Sequence, residues 1–189
     1  WVVRHMHGHR LPLAASLLCA VLAGCASTPA SSETELRTVA GTPYGVGVNA
    51  EEWARITVGS QALCVTGGRS VTITEVTWAQ GTGVKVTRVG SRSAAVGSTL
   101  GAVAEPMEDF GYSTEQLEVS TPCSPQGELG ESATTLAIEV ESRDPDVRQR
   151  VEGLLIRYRT ADGQELAVSE PLTLVICARS NIGQQCQDG

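Results

Sequence analysis

The apolar residues of this chain occur in short segments in which every second residue is apolar, and this alternation restricts the fold more than any other feature. In the clearest segment three apolar residues alternate with three others: Leu136, Ile138 and Val140 with Ala137, Glu139 and Glu141. Successive side chains of a strand point to opposite faces, so this segment predicts a strand with one buried face and one wet face. Glycines and prolines separate such segments at intervals typical of all-β domains.

Further strands are predicted at 44–48, 61–65, 71–78, 84–86, 154–158, 166–168 and 172–176. A change of parity within 71–78 predicts a bulge near Thr74 or Glu75, and Asp162-Gly163 predicts a hairpin turn. Asn49 followed by Glu52 matches an N-cap and predicts one or two helical turns near the start of the domain. The series resembles an immunoglobulin-like domain, which implies an antiparallel two-sheet sandwich over residues 44–180, with a short tail at 181–189.

The first 24 residues have the pattern of an export signal. A basic, polar stretch at 5–10 precedes an apolar stretch of 13 residues at 11–23, and we expect translation to begin at Met6. A membrane-spanning helix needs about 20 apolar residues, so a transmembrane helix is the weaker interpretation. We therefore predict a removable signal peptide over residues 1–24.

The apolar stretch ends in Leu22-Ala23-Gly24-Cys25, which resembles the lipobox of bacterial lipoprotein precursors. The resemblance implies cleavage before Cys25, a diacylglyceryl group on its sulfur, and attachment to the outer side of the cell membrane, where two acyl chains hold firmly. An ordinary secretory signal, which would release a soluble protein, is the alternative. Residues 25–43 are poor in apolar side chains and are predicted to form the lipidated cysteine and a flexible tether.

Removing the leader changes the net charge of the chain and the side chains that are available for catalysis. The leader contains two arginines and no acidic residue, so 14 basic and 21 acidic residues become 12 and 21, a net charge of -9 instead of -7. This charge, without a basic run, argues against nucleic-acid binding. The leader also contains His5, His7 and His9, the only histidines, which excludes Ser-His and Cys-His catalysis within the remaining chain.

The remaining catalytic motifs are incomplete. Lys85 is the only lysine, and Thr82 precedes it where a Ser-x-x-Lys site needs serine, so we interpret Lys85 as a solvated strand residue. Gly81-Thr82-Gly83 lacks the third glycine of a nucleotide-binding loop and is predicted only to join two strands. These patterns predict no cofactor.

Four cysteines follow Cys25: Cys64, Cys123, Cys177 and Cys186. An even number in an exported chain favours two disulfides, and four cysteines allow three pairings. Since the first and last strands of sandwiches are often neighbours, we prefer Cys64–Cys177 and Cys123–Cys186. A metal site built from all four thiolates lacks the usual C-x-x-C spacing.

Two acidic groups could hold a hard cation: Glu105, Glu108 and Asp109 in an irregular region, and Asp144 with Asp146 beside Pro145. Calcium takes oxygen ligands from such loops, although neither group follows the calcium-loop pattern. A carboxylate-based enzyme or a calcium-binding or other ligand-binding domain is therefore the alternative function. The leading hypothesis is a lipid-anchored, non-catalytic β-sandwich that binds a protein partner or belongs to an envelope assembly.

Overall fold

The fold is given by a computed structural model, which describes residues 34–38, 44–49, 55–95, 101–124 and 132–178. Within these ranges the chain forms ten strands and one 3-10 helix, which confirms the all-β prediction. The strands are β1 Leu36–Thr38, β2 Tyr44–Asn49, β3 Ile56–Val65, β4 Val71–Gly81, β5 Val84–Ala95, β6 Ala102–Val103, β7 Glu118–Val119, β8 Ser132–Ser142, β9 Gln149–Thr160 and β10 Glu165–Cys177; the 3-10 helix is Met107–Phe110.

The strands form two sheets that pack into a sandwich. The first sheet has the order β1-β3-β8-β5, with β6 also on β3, and the second has the order β2-β10-β9-β4-β7. An immunoglobulin domain places strands A, B, E and D in one sheet and C, F and G in the other. The first sheet here has β1, β3, β8 and β5 in the positions of A, B, E and D. The second sheet has β4, β9 and β10 in the positions of C, F and G, so the strand order agrees with that topology.

One pair of strands departs from the antiparallel expectation. β2 pairs with β10 in parallel over six register positions, while the remaining ladders are antiparallel among the described strands. The N-terminal segment first pairs with β3 in the first sheet, through β1, and then with β10 in the second sheet. Because β1 lies at 36–38, the sandwich includes residues that the sequence had assigned to the tether.

The core lies between the sheets and is built by the alternating apolar positions. Its largest fully buried side chains include Leu63, Leu136, Ile138, Leu154, Ile156, Leu172 and Leu174. Tyr158 belongs to this core, and Trp78 is half-buried and packs against it. The alternation of apolar residues thus correctly predicted which side chains of the two sheets face the core.

The predicted irregularities occur where the sequence placed them. The β4–β9 register shifts between Ile73 and Glu75, as the parity change indicated. The β10–β9 register also shifts, between Glu170 and Thr173, where Pro171 interrupts the ladder. Gly163 adopts a φ of 87° in the β9–β10 turn, a conformation that glycine reaches without steric cost.

Several expectations fall on residues beyond the described ranges. Cys25, the signal peptide and the tail at 181–189 lie outside them, as do residues 50–54 of the predicted helix, whose N-cap candidate Asn49 ends β2. No helix in the described part is long and apolar enough to cross a membrane.

Candidate binding cleft

Residues 101–116, here called the strap, pair with β3 through β6 and then cross the outer face of β8 to reach β5. The Thr57 hydroxyl of β3 donates a hydrogen bond to the carbonyl of Glu105 at 2.7 Å. Further along, Ser91 of β5 and Ser113 exchange two backbone hydrogen bonds of 2.9 Å. The strap is therefore fixed to strands on both sides of β8.

Apolar contacts hold the centre of the strap. Met107, Tyr112 and Ala137 form a second small core, against which Phe110 packs. Gly90 of β5 faces this core, and a Cβ atom there would collide with the Met107 sulfur. Small residues on the two strands thus leave the space that the strap occupies.

The strap corrects the predicted wet face of β8. Only Glu141 of the three expected outward residues is exposed, whereas Ala137 and Glu139 are fully buried. The alternation was right about which residues face the core. It could not show that a distant segment covers the opposite face.

Glu139 is a buried carboxylate, only 2% exposed, beneath the strap. The Nη1 of Arg88 lies 3.1 Å from its Oε1, the Nε of Arg55 lies 3.8 Å from its Oε2, and the backbone N–H of Met107 donates to Oε1 at 3.4 Å. A desolvated charge needs such partners to be tolerated. Glu139 therefore anchors the strap to the sheet.

The acidic group at 105–109 is also used by the fold. Glu108 forms an ion pair with Arg88. The hydrogen bond from Arg88 is the main cause that lowers the pKa of the Glu108 carboxyl, and a hydrogen bond from a backbone N–H lowers it further. Glu105 contributes its backbone carbonyl to the strap, and Asp109 is exposed. In the second acidic group, Asp144 Oδ1 accepts the N–H of Asp146 at 3.1 Å within the turn.

Neither acidic group brings three carboxylate side chains together. Across the ranges that the structure describes, no three His, Cys, Asp or Glu side chains are grouped so that they could hold a metal ion. The calcium alternative therefore has no ligand set in that part of the chain.

The preferred disulfide pairing is wrong. Cys64 is bonded to Cys123, with an S–S distance of 2.08 Å, and not to Cys177. The segment after β7 leaves the second sheet and runs beside the end of β3, where Val65 donates its N–H to Thr121 at 2.8 Å and accepts one from Cys123 at 2.9 Å. This crossing brings Cys123 to Cys64, whereas Cys177 ends β10 in the other sheet.

Cys177 is also disulfide-bonded, and its partner lies outside the described residues. Cys186 lies outside them as well. Once Cys64 and Cys123 are paired, the expected Cys123–Cys186 bridge is excluded.

The hairpin formed by β4 and β5 is divided between the two sheets. The two strands are joined by Gly81-Thr82-Gly83, as the sequence predicted, yet β4 pairs with β9 in the second sheet and β5 with β8 in the first. The arms therefore diverge and leave between them a cleft of about 450 Å³, here called the hairpin cleft. It is lined by 75–78 of β4, by 81–86, and by Arg143.

The hairpin cleft combines three unused polar groups. The indole Nε1 of Trp78 is buried and has no hydrogen-bond partner in the described part of the chain. Lys85 and Arg143 are exposed, and neither forms an ion pair with a described residue. Each of the other described arginines takes part in an ion pair, ring contact, hydrogen bond or charge interaction.

A second cleft, of about 590 Å³, lies between the end of β5 and residues 115–121. Its one cationic lining residue, Arg92, lies 4.6 Å from the centre of the Tyr112 ring and donates to the Phe110 carbonyl at 2.7 Å. The Ser91 hydroxyl donates to the carbonyl of Gln116. Because these groups already hold the strap, the hairpin cleft is the better candidate for binding.

The sequence predicted that Lys85 is a solvated strand residue, and Lys85 is indeed exposed. What places Arg143 at the cleft is a backbone hydrogen bond of 2.7 Å from its N–H to the carbonyl of Gly83. The change of parity within 71–78 was the sequence signal that this hairpin is irregular.

The chain resembles a solved structure in its fold, whereas its sequence has no counterpart among family models or curated proteins. A solved structure of murine CRIg is similar over 77% of this chain and 98% of that chain, with 11% sequence identity and a TM-score of 0.26. At this TM-score the likeness does not bear on function.

Proposed function

We propose that the protein is a lipid-anchored, non-catalytic binding module that faces the extracytoplasmic side of the cell membrane. The observation that carries the proposal is Leu22-Ala23-Gly24-Cys25 at the end of a 13-residue apolar stretch. Lipid on Cys25 would hold the sandwich at the membrane surface through the residues that precede β1.

The disulfide supports export. Disulfides persist in oxidising compartments and are rare in the cytosol, and the Cys64–Cys123 bond joins the crossing segment to the first sheet. A sandwich that is cross-linked by a disulfide is consistent with a domain that acts outside the cytoplasm.

The chemistry of the described side chains favours binding over catalysis. Glu108 and Glu139, which lie close to each other through their shared partner Arg88, are engaged in the ion pairs that fix the strap. The hairpin cleft offers hydrogen-bond donors and cations, and its one carboxylate, Glu75, is paired with Arg157 at 3.1 Å. Such a site can hold a ligand, but it lacks the pair of free acids that carboxylate-based hydrolysis uses.

The lipid anchor is tested by Cys25→Ala, expressed beside the unchanged protein and beside Cys19→Ala, which alters a cysteine within the apolar stretch. We expect the unchanged protein and Cys19→Ala to partition with membranes and Cys25→Ala to be soluble after cell fractionation. Mass spectrometry of the N-terminal peptide should detect the acyl chains. Equal membrane partitioning of all three proteins would contradict lipidation at Cys25.

A further inference from the structure

We propose that the hairpin cleft binds an extended peptide segment with acidic side chains, which pairs through its main chain with one of the open strand edges of the cleft. The inference rests on the proposed binding role and names the chemistry of the partner. Three observations carry it: the open edges, the buried indole N–H, and two cations that form no ion pair with any residue in the described ranges.

The open edges supply main-chain hydrogen-bonding groups. In the second sheet, β7 pairs with β4 only at Val71 and Thr72, so no described strand covers β4 along 75–78. In the first sheet β5 is the last strand, and its only described bridge on the outer side is at Ser91. Unpaired strand edges are templates for an added strand, and peptides commonly bind in this way.

The indole N–H identifies a missing acceptor. A buried donor without a partner is destabilising relative to a satisfied one, and Trp78 Nε1 is such a donor among the described residues. Trp78 lines the cleft and packs on the core with its ring. Because Nε1 is inaccessible from the cleft in this structure, a carbonyl or carboxylate oxygen of a bound peptide would satisfy this donor after the Trp78 side chain turns its N–H toward the cleft.

The two cations indicate the charge of the ligand. Lys85 and Arg143 line the cleft, and both are exposed. Glu141 lies opposite Lys85 in the β8–β5 ladder but forms no ion pair with it, and Glu75 is already paired. In a protein with a net charge of -7, two cations at one cleft that form no ion pair with a described residue make a local positive site. Screening over about 8 Å at physiological salt lets this local charge prevail over the overall negative field.

The test measures binding of a fluorescein-labelled peptide, Glu-Val repeated three times, to the purified full-length mature protein by fluorescence anisotropy. Two comparison peptides separate charge from strand pairing. One replaces every Glu by Lys, and the other keeps the acidic sequence but carries N-methyl groups on alternate amides, which removes the donors of a strand ladder. Succinate is the competitor that represents a small dicarboxylate.

We expect the acidic peptide to bind and the Lys-containing and N-methylated peptides to bind at least about tenfold more weakly. Lys85→Ala combined with Arg143→Ala should weaken binding about tenfold, since each exposed charge contributes a few-fold. Trp78→Phe keeps the ring and removes the donor, and it should weaken binding about fivefold without lowering stability toward urea. The matched control, Arg37→Ala with Arg159→Ala, removes two exposed arginines elsewhere and should change binding less than about twofold.

Several results would overturn the inference. They are no binding of the acidic peptide at millimolar concentration, equal binding of the N-methylated or Lys-containing peptide, or full displacement by succinate, which would indicate a site for small anions. Loss of binding with unchanged membrane partitioning of the same preparation would overturn this inference alone. A mature protein that binds the peptide but does not partition with membranes would contradict the anchor and leave the peptide site supported.

Discussion

Replacing the buried carboxylate under the strap tests how the strap is held. Glu139→Gln keeps the shape of the side chain and can still accept the N–H of Met107, but it removes the charge that faces Arg88 and Arg55. Hydrogen bonds to a charged group contribute about 1.5 to 3 kcal/mol, against about 0.5 to 1.5 kcal/mol for neutral ones. We therefore expect Glu139→Gln to lower the free energy of unfolding by about 1 to 2 kcal/mol.

We expect Arg88→Gln to lower the free energy of unfolding more than Glu139→Gln does, although Arg88 is the more exposed of the two partners. The Arg88 side chain is 38% exposed and that of Glu139 is 3% exposed. Arg88→Gln leaves the buried carboxylate with Arg55, 3.8 Å away, as its remaining cation among the described residues. An uncompensated buried charge costs more than the loss of a solvated one. The double substitution should cost less than the sum of the two single ones because both act on one network.

Urea unfolding followed by circular dichroism, with the disulfides intact, measures these differences. The control is Glu165→Gln, which breaks the exposed pair with Arg159 at 2.7 Å and should cost less than about 0.5 kcal/mol. The reasoning is refuted if Glu139→Gln costs no more than Glu165→Gln, or if Arg88→Gln costs less than Glu139→Gln. Hydrogen exchange at the Met107 amide should accelerate in both strap variants.

Three further predictions concern turns, the disulfide and pH. In Gly163→Ala the added Cβ meets no atom within 4 Å, so we expect the free energy of unfolding to fall by about 1 kcal/mol because alanine disfavours the left-handed conformation. In Gly81→Ala the added Cβ also collides with a backbone oxygen, so urea unfolding should show a clearly larger loss of stability. Cys64→Ser with Cys123→Ser should lower stability by up to about 4 kcal/mol for a separation of 59 residues; equal urea midpoints would contradict this. The pKa of Glu108 is lowered by folding, so its contribution is present at neutral pH and is lost as pH falls through the folded pKa; Glu108→Gln should flatten the acid branch of the stability profile below about pH 4.

The sequence predicted the sandwich well wherever the information is local. Alternation identified the inward residues of β8 and β9, and the parity change in β4 located the bulge between Ile73 and Glu75. Asp162-Gly163 located the β9–β10 turn because only a few residues readily adopt positive φ. In each case the signal lies within about ten residues and depends on strand geometry alone.

The features that depend on distant segments could not be predicted in this way. The strap covers β8 because Gly90 and Ala137, which lie far apart in sequence, both leave space for Met107. The disulfide pairing depends on the crossing segment that reaches the end of β3, and alternation does not specify which strands become neighbours. The hairpin cleft likewise depends on distant residues, because Trp78 of β4 and Arg143, which follows β8, both line the space where β4 and β5 separate.

The parallel pairing of β2 with β10 determines how the domain would respond to force. The two strands run in the same direction over six register pairs, from Tyr44 beside Leu172 to Asn49 beside Cys177. A pull on the N-terminal end of β2 against the C-terminal end of β10 acts along both strands, so it shears all six pairs at once. Tension from a membrane anchor would first load the three β1–β3 pairs and would reach β2 once β1 has separated from β3. The six parallel pairs would then act as a mechanical clamp that slows further forced unfolding.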